Sequence, residues 1–189
     1  MAEVLLFHHI QGLTQGVRAF ADDLRSEGHV VHTPDLFEGR TFASIEQGMA
    51  FARQVGFDTL QARGATVVEG LRSDLVYAGF SFGVTMAQQL AQTRPGALGA
   101  LLMYSCLPVS EFGEVWPPGV PVQIHGKEGD EFFAEDLPGA RELAASTSEA
   151  ELFVYPGGEH LFADASLSDF DPEAAALMLS RVQALLAKL

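Results

Sequence analysis

Ser81 stands between Gly79 and Gly83 in the run GFSFG. At a strand-to-helix junction a serine spaced this way is held in a sharp turn. Its hydroxyl projects above the sheet edge, and the two glycines leave room for neighbouring chain. A helix starting near Phe82 points its N-terminal dipole at the same spot and favours negative charge developing there. The alternative is a glycine-rich turn that only packs helix against strand. A serine hydroxyl needs a base, and the base needs an acid to orient it. Of the six histidines, His160 lies in the glycine-rich loop of YPGGEHLF and follows Ser81 in the order Ser, Asp, His. The run HGKEGDEFF supplies Glu128, Asp130 and Glu131. Asp130 is preferred, because a turn through Gly126 and Gly129 aims it back across the sheet edge; the alternative is an acidic surface.

These groups must be positioned by the elements around them. VLLF (Val4–Phe7) has the pattern of a buried strand, and Thr14–Glu27 places Val17, Phe20, Ala21 and Leu24 on one helical face, with Gly28 as its stop. His29–Thr33 predicts a second strand. Residues 37–70 predict a loop and one or two helices, around Ile45–Val55 and Thr59–Glu69. Further strands are expected at Asp74–Gly79, Ala97–Ser105, Val120–Gly126 and Ala150–Gly157, and a helix at Val84–Thr93. A last helix is capped by Asp171, with Pro172 in its first turn. Strands apolar on both faces and separated by helices imply a mainly parallel sheet of about six strands, covered on both sides as a three-layer α/β sandwich. Right-handed crossovers then put chemistry at the carboxyl ends of the strands.

The 189 residues fit one domain spanning 1–189, and 48% hydrophobic with 19% charged residues is a globular composition. A formal net charge of −14 argues against nucleic-acid binding and against anionic membranes. The single cysteine, Cys106, cannot form an internal disulfide, and the apolar run after Glu3 is too short for a signal segment or a membrane span. A soluble cytoplasmic protein is the expectation. The oligomeric state stays open, a homodimer included.

The segments VLLFHHIQGLT, FADDLRSEGHVVHTPDLFEG, GFSFG, PVQIHGKEGDEFF and YPGGEHLFAD together resemble the dienelactone hydrolase family of α/β-hydrolases over nearly the whole chain. The resemblance implies an α/β-hydrolase fold with Ser81, Asp130 and His160 as a triad. It also implies an oxyanion hole formed by the backbone N–H groups of Ile10 and Phe82. The implied activity is hydrolysis of a small carboxylic ester or lactone through an acyl-enzyme, with no cofactor. Three positions depart from the family pattern. Ser81 replaces a cysteine nucleophile, His9 stands where a glutamate follows the first strand, and Asp164 stands where an arginine holds the substrate carboxylate. A carboxylate at Asp164 would repel an anionic lactone.

The remaining polar residues carry weaker signals. His8 and His9 point to opposite faces of an extended chain, so one can approach Ser81. With His125 and His160 they suggest a zinc site, but no HxH or HExxH pattern supports it, and no metal is assigned. Glu38 and Arg40 follow the second strand and border a substrate pocket or lie at the surface. Phe82, Phe132 and Phe162 flank the proposed groups and can line an apolar pocket. About fifteen residues, including Trp116, separate the fourth and fifth strands, too few for a lid domain. An open site of that kind suits small soluble esters. The competing classes are a hydrolase-like fold that only binds, and a metal-assisted hydrolase.

Overall fold

The structure is a computed structural model that describes residues 1–189. Its centre is a six-stranded sheet: β1 (Glu3–Phe7), β2 (Val30–His32), β3 (Val76–Phe80), β4 (Gly99–Met103), β5 (Val122–Lys127) and β6 (Ala150–Tyr155). The spatial order is β2-β1-β3-β4-β5-β6, and every neighbouring pair is parallel. Six helices cross between strands or close the chain: α1 (Gln15–Ser26), α2 (Ile45–Val55), α3 (Phe57–Val67), α4 (Phe82–Thr93), α5 (Glu131–Ser146) and α6 (Pro172–Leu186).

Alternation along the strands divides the core into two apolar layers. Leu5, Phe7, Tyr77, Ala100 and Leu102 pack against Ala52, Leu60, Met86, Leu90, Phe133 and Leu143, from α2 to α5. Val4, Leu6, Val76, Ala78, Leu101 and Met103 face Val17, Phe20 and Leu24 of α1 and Met178, Val182 and Leu185 of α6. Both faces of the central strands are therefore dry, which explains their unbroken apolar sequence.

The chain runs from β1 outward to β2 and then returns to the other side of β1 for β3. That reversal opens a crevice above the carboxyl ends of β1 and β3, the place where parallel α/β sheets bind ligands. The loop after β1 and the turn after β3 meet there.

The sequence expectation misses one element, α5. Pro138 and Gly139 interrupt the helical pattern on paper, yet the helix continues through both. Phe133, Ala140 and Leu143 bury one face of it against the sheet, and that packing outweighs the local propensity. Other boundaries move by a few residues. β5, for example, runs to Lys127 rather than ending at Gly126.

Close packing of α4 on β1 sets the geometry of the crevice. A Cβ on Gly83 would lie 2.5 Å from the Phe7 carbonyl oxygen and 2.7 Å from that of His8, both backbone atoms with little freedom to retreat. Gly83→Ala should therefore destabilise the protein by about 1–3 kcal/mol despite alanine's better helix propensity. Gly70→Ala, where nothing lies within 4 Å, should be close to neutral. Urea unfolding midpoints of the two variants check the contrast, and equal midpoints would contradict it.

Candidate active site

Ser81 occupies a backbone conformation, φ 49° and ψ −111°, that L-residues seldom adopt. Such a conformation costs on the order of 1–3 kcal/mol and persists only where the surroundings enforce it. Here the Ser81 N–H donates to the Met103 carbonyl at 2.7 Å. Gly79 lies so close to the first turn of α4 that a Cβ there would sit 2.3 Å from the Gly83 oxygen. The serine is thus pinned between two strand ends and a helix start.

The Ser81 hydroxyl lies 2.7 Å from His160 Nε2, and His160 Nδ1 lies 2.6 Å from Asp130 Oδ2. A carboxylate accepts only, so Nδ1 carries the proton and Nε2 is free to accept from the serine. Asp130 caps α5, and its Oδ1 accepts the Phe132 N–H at 3.0 Å. The carboxylate is therefore fixed by both oxygens. Asp130 is 1% exposed and His160 6%. Glu128 and Glu131, the other acids of that run, form no hydrogen bond or ion pair with His160.

Polar ties made by the buried Lys127 and Tyr104 hold the loops that carry these groups. Lys127, at the end of β5, donates to Glu159 beside His160 and to Asp171 at the start of α6, both at 2.6 Å. Burial works against its charge, but the two carboxylate hydrogen bonds outweigh that and raise its pKa. Tyr104, with φ 73°, accepts the Ala163 N–H at 2.9 Å, and its ring centroid lies 5.7 Å from that of His160. Burial pushes its phenol well above the ordinary value.

A cleft of about 390 Å³ opens over Ser81 and His160. Ile10, Ile45, Met49 and Leu107 form its aliphatic wall, Phe82, Tyr104 and Phe132 are aromatic, and Thr85, Ser105 and Asp136 are polar. Ile10 and Phe82 both border the serine. The Ile10 N–H makes no hydrogen bond within the protein, and Phe82 opens α4, where first-turn N–H groups have no intrahelical partner.

Of the further pocket candidates only Phe132 lines the cleft; the other five lie elsewhere. Phe162 is fully buried beneath the ammonium of Lys127, with its ring centroid 5.0 Å from that of Tyr104. Glu38 is exposed and pairs with Arg63 at 3.2 Å, and Arg40 lies over the Phe51 ring rather than in an ion pair. Both point away because the turn after β2 is fixed by Asp35, whose carboxylate accepts the Phe37 and Gly39 N–H groups.

His9 and Asp164 meet each other instead of the substrate space. His9 Nε2 donates to Asp164 Oδ2 at 2.8 Å, while its Nδ1 accepts the Gln11 N–H. Thr14 donates to the same carboxylate oxygen, and Ser166 donates to Oδ1 from both its N–H and its hydroxyl. Burial disfavours the charge of Asp164, but the bonds from His9, Ser166 and Thr14 win and bring its pKa to about 2. Gly16 makes this approach feasible, since a Cβ there would overlap the carboxylate. Asp164 therefore does not line the cleft and makes no direct contact with a substrate there.

Neither of the adjacent histidines approaches Ser81. His8 turns the other way, with Nδ1 on the His9 carbonyl and Nε2 accepting the Leu36 N–H. His125 is held between Tyr155 and Gln123. Every ring nitrogen of His8, His9, His125 and His160 thus has a protein partner, and no group of three or more His, Cys, Asp or Glu side chains is arranged to hold a metal ion. Burial, aided by Asp136, pushes the Cys106 thiol up to about 12, so it is not a poised nucleophile.

Sequence reasoning passed over Asp136, Ser105, Thr85 and the α2 residues. Ile45 and Met49 are spaced i, i+4 on one helix face, but nothing in the pattern says that this face borders a cleft. Asp136 sits on the helix that Pro138 concealed.

The dienelactone hydrolase family model matches residues 1–189. The chain belongs to the dienelactone hydrolase family. That family is one of hydrolases, and solved structures repeat the architecture. A dienelactone hydrolase-like promiscuous phosphotriesterase from metagenomic libraries superposes with a TM-score of 0.75 at 15% identity, covering 100% of this chain and 87% of that one. A dienelactone hydrolase from Anabaena variabilis gives 0.70 at 15% identity, with 100% and 86% covered. Thermogutta terrifontis esterase 2 phosphonylated by cyclosarin gives 0.68 at 14% identity, with 99% and 82% covered. At these identities the likeness is one of fold. No curated protein sequence matches the chain. No helix of this family member is long and apolar enough to cross a membrane.

The buried histidines beside the site set an acid sensitivity. Burial lowers His8 from 6.5 to about 4 and His125 from 6.5 to about 3, with Arg181 adding to the second. The unfolded chain takes up these protons below about 6.5 and the fold does not until pH nears 4 or 3. The stability involved is fully present above 6.5 and drains away as pH falls toward those lower values. Between pH 8 and pH 5 the unfolding free energy should drop by about 2 kcal/mol per histidine. Denaturant unfolding at the two pH values checks this. His125→Gln should remove about half of that pH dependence, and an unchanged slope would contradict the assignment.

Proposed function

We propose that this member of the family is a serine-dependent hydrolase of small carboxylic esters or lactones, working through an acyl-enzyme. The observation that carries the reading is the unbroken hydrogen-bond chain from the Ser81 hydroxyl through His160 to Asp130, on a serine held in a strained turn. The hydroxyl proton passes to His160 Nε2 as the serine oxygen attacks the carbonyl carbon. Asp130 keeps the Nδ1 proton in place and stabilises the imidazolium that forms. The carbonyl oxygen becomes an oxyanion, met by the N–H groups of Ile10 and Phe82 and by the N-terminal dipole of α4.

Collapse of the tetrahedral intermediate expels the alcohol, which takes the proton from His160. A water molecule then gives its proton to His160 and attacks the acyl carbon. As the second intermediate collapses, His160 returns that proton to the Ser81 oxygen and the acid is released. Both half-reactions need only the protein's own groups. Ser81 takes the place of the family's cysteine, and a hydroxyl depends on the neighbouring base more than a thiol does.

The cleft's volume and its aliphatic and aromatic walls suit a small substrate. The connection from β4 to β5 holds one short 3-10 turn, Val109–Glu111, and leaves the cleft without a lid domain. Two structural neighbours, a promiscuous phosphotriesterase and an esterase phosphonylated by cyclosarin, make an organophosphorus probe a natural choice.

A fluorophosphonate probe should modify Ser81 in the native protein and leave Ser81→Ala unmodified, as read by peptide mass spectrometry. Asp130→Asn should lower kcat for short acyl 4-nitrophenyl esters by on the order of 10³–10⁴ while leaving the fold intact. Full ester turnover by Ser81→Ala would overturn the reading. An unreactive Ser81 with no ester turnover would favour a binding role for the same fold.

A further inference from the structure

The cleft contains one carboxylate and no basic side chain other than His160. That carboxylate is Asp136 of α5. Its Oδ2 accepts the Ser105 hydroxyl at 2.5 Å and the Cys106 N–H at 3.2 Å, both from the turn after β4. Its Oδ1 accepts nothing from the protein. Asp136 is half-buried and enters no ion pair, so its charge is not neutralised within the fold. The arginines on the β2 side of the sheet edge are engaged elsewhere, Arg40 on Phe51 and Arg63 on Glu38 and the Leu36 carbonyl.

Three aromatic rings share the space with this charge. Phe132 and Tyr104 lie 4.8 and 5.7 Å from the His160 ring, centroid to centroid, and Phe82 follows the serine itself. A carboxylate beside aromatic walls, with no competing cation, is the chemistry that recognises an alkylammonium group. The same arrangement disfavours an anion, both through Asp136 and through the exposed Glu131 and Glu135 on the same helix.

We propose that the cleft selects substrates carrying an alkylammonium group near the scissile carbonyl, with Asp136 and the rings of Phe82, Tyr104 and Phe132 as the recognising groups. The inference rests on the hydrolase reading of Ser81 and adds the charge of the substrate to it. Asp136 then determines specificity and does not take part in bond making.

The test is protection of Ser81 from a neutral fluorophosphonate probe, a reaction in which the serine oxygen displaces fluoride from phosphorus. Three small competitors of similar shape are compared: (2-hydroxyethyl)trimethylammonium, 3,3-dimethylbutan-1-ol and 3,3-dimethylbutanoate. At low salt the cation should protect at a concentration roughly ten-fold below that of the neutral alcohol, and the carboxylate should be weakest. Raising the salt to about 1 M should shrink that ratio, a readout that needs no variant. Asp136→Asn, which keeps an acceptor for Ser105 and Cys106, should bring the ratio near one. Equal protection by the cation and the alcohol, no protection by either, or best protection by the carboxylate overturns the charge selection while labelling of Ser81 leaves the hydrolase reading standing. Failure of the probe to label Ser81 at all removes both.

Discussion

The near-contact between Gly83 and the end of β1 governs the geometry of this site. Two stretches of backbone approach until no Cβ fits between them. That approach fixes the start of α4 against the loop that follows Phe7. Ser81 is carried by one stretch and the Ile10 N–H by the other, so their separation is set by main-chain packing rather than by side-chain choice. Side chains can repack by rotating, whereas carbonyl oxygens anchored in a parallel sheet cannot. The strained backbone of Ser81 is the local cost of bringing a strand end, a sharp turn and a helix start into so small a volume.

Histidine and acid must then be brought to a serine that is already immobile. They arrive on loops, which are the least constrained parts of an α/β fold. In this chain the loops are tied down by charge. Lys127 joins the strand that leads to Asp130 with the loop that carries His160 and with the cap of α6. The His9–Asp164 contact joins the loop of Ile10 to the segment just beyond His160. Burying such groups is expensive unless all of their hydrogen bonds are made. Here no buried side-chain nitrogen or oxygen lacks a partner. A fully satisfied network of this kind locates the loops as firmly as apolar packing locates the strands.

How much of this was legible in the sequence follows from the range of each interaction. Strands buried on both faces leave an unbroken apolar run, and an amphipathic helix leaves a 3.6-residue period, so the layered sheet could be inferred from VLLF, ALGALLMYS and the pattern around Val17 and Leu24. The elbow was visible because its glycines and serine are adjacent in the chain. Ser81, Asp130 and His160 could be nominated from their order, and the 2.6 and 2.7 Å distances needed the fold. What escaped was decided at long range. His9 and Asp164 lie 155 residues apart, and each looked like an isolated departure from a family pattern; in space they are a single contact. Asp136 was hidden because Pro138 and Gly139 argue locally against a helix that tertiary packing nevertheless maintains.

That correction changes the electrostatic argument about the substrate. Four donor groups from three residues hold Asp164 inside the scaffold, so it is not a residue of the cleft wall as first expected. Under the proposed charge selection Asp136 takes over that role from a different place, because it borders the cleft with one oxygen still free. Under the proposed mechanism the serine takes its activation wholly through His160, so the position after β1 need not carry a carboxylate to switch on a thiol. His9 is then free to serve as a buried strut. A cleft without the activating acid and without the substrate-holding arginine keeps one carboxylate, Asp136, and under the proposal above it is this charge that makes the substrate's own charge the selected variable.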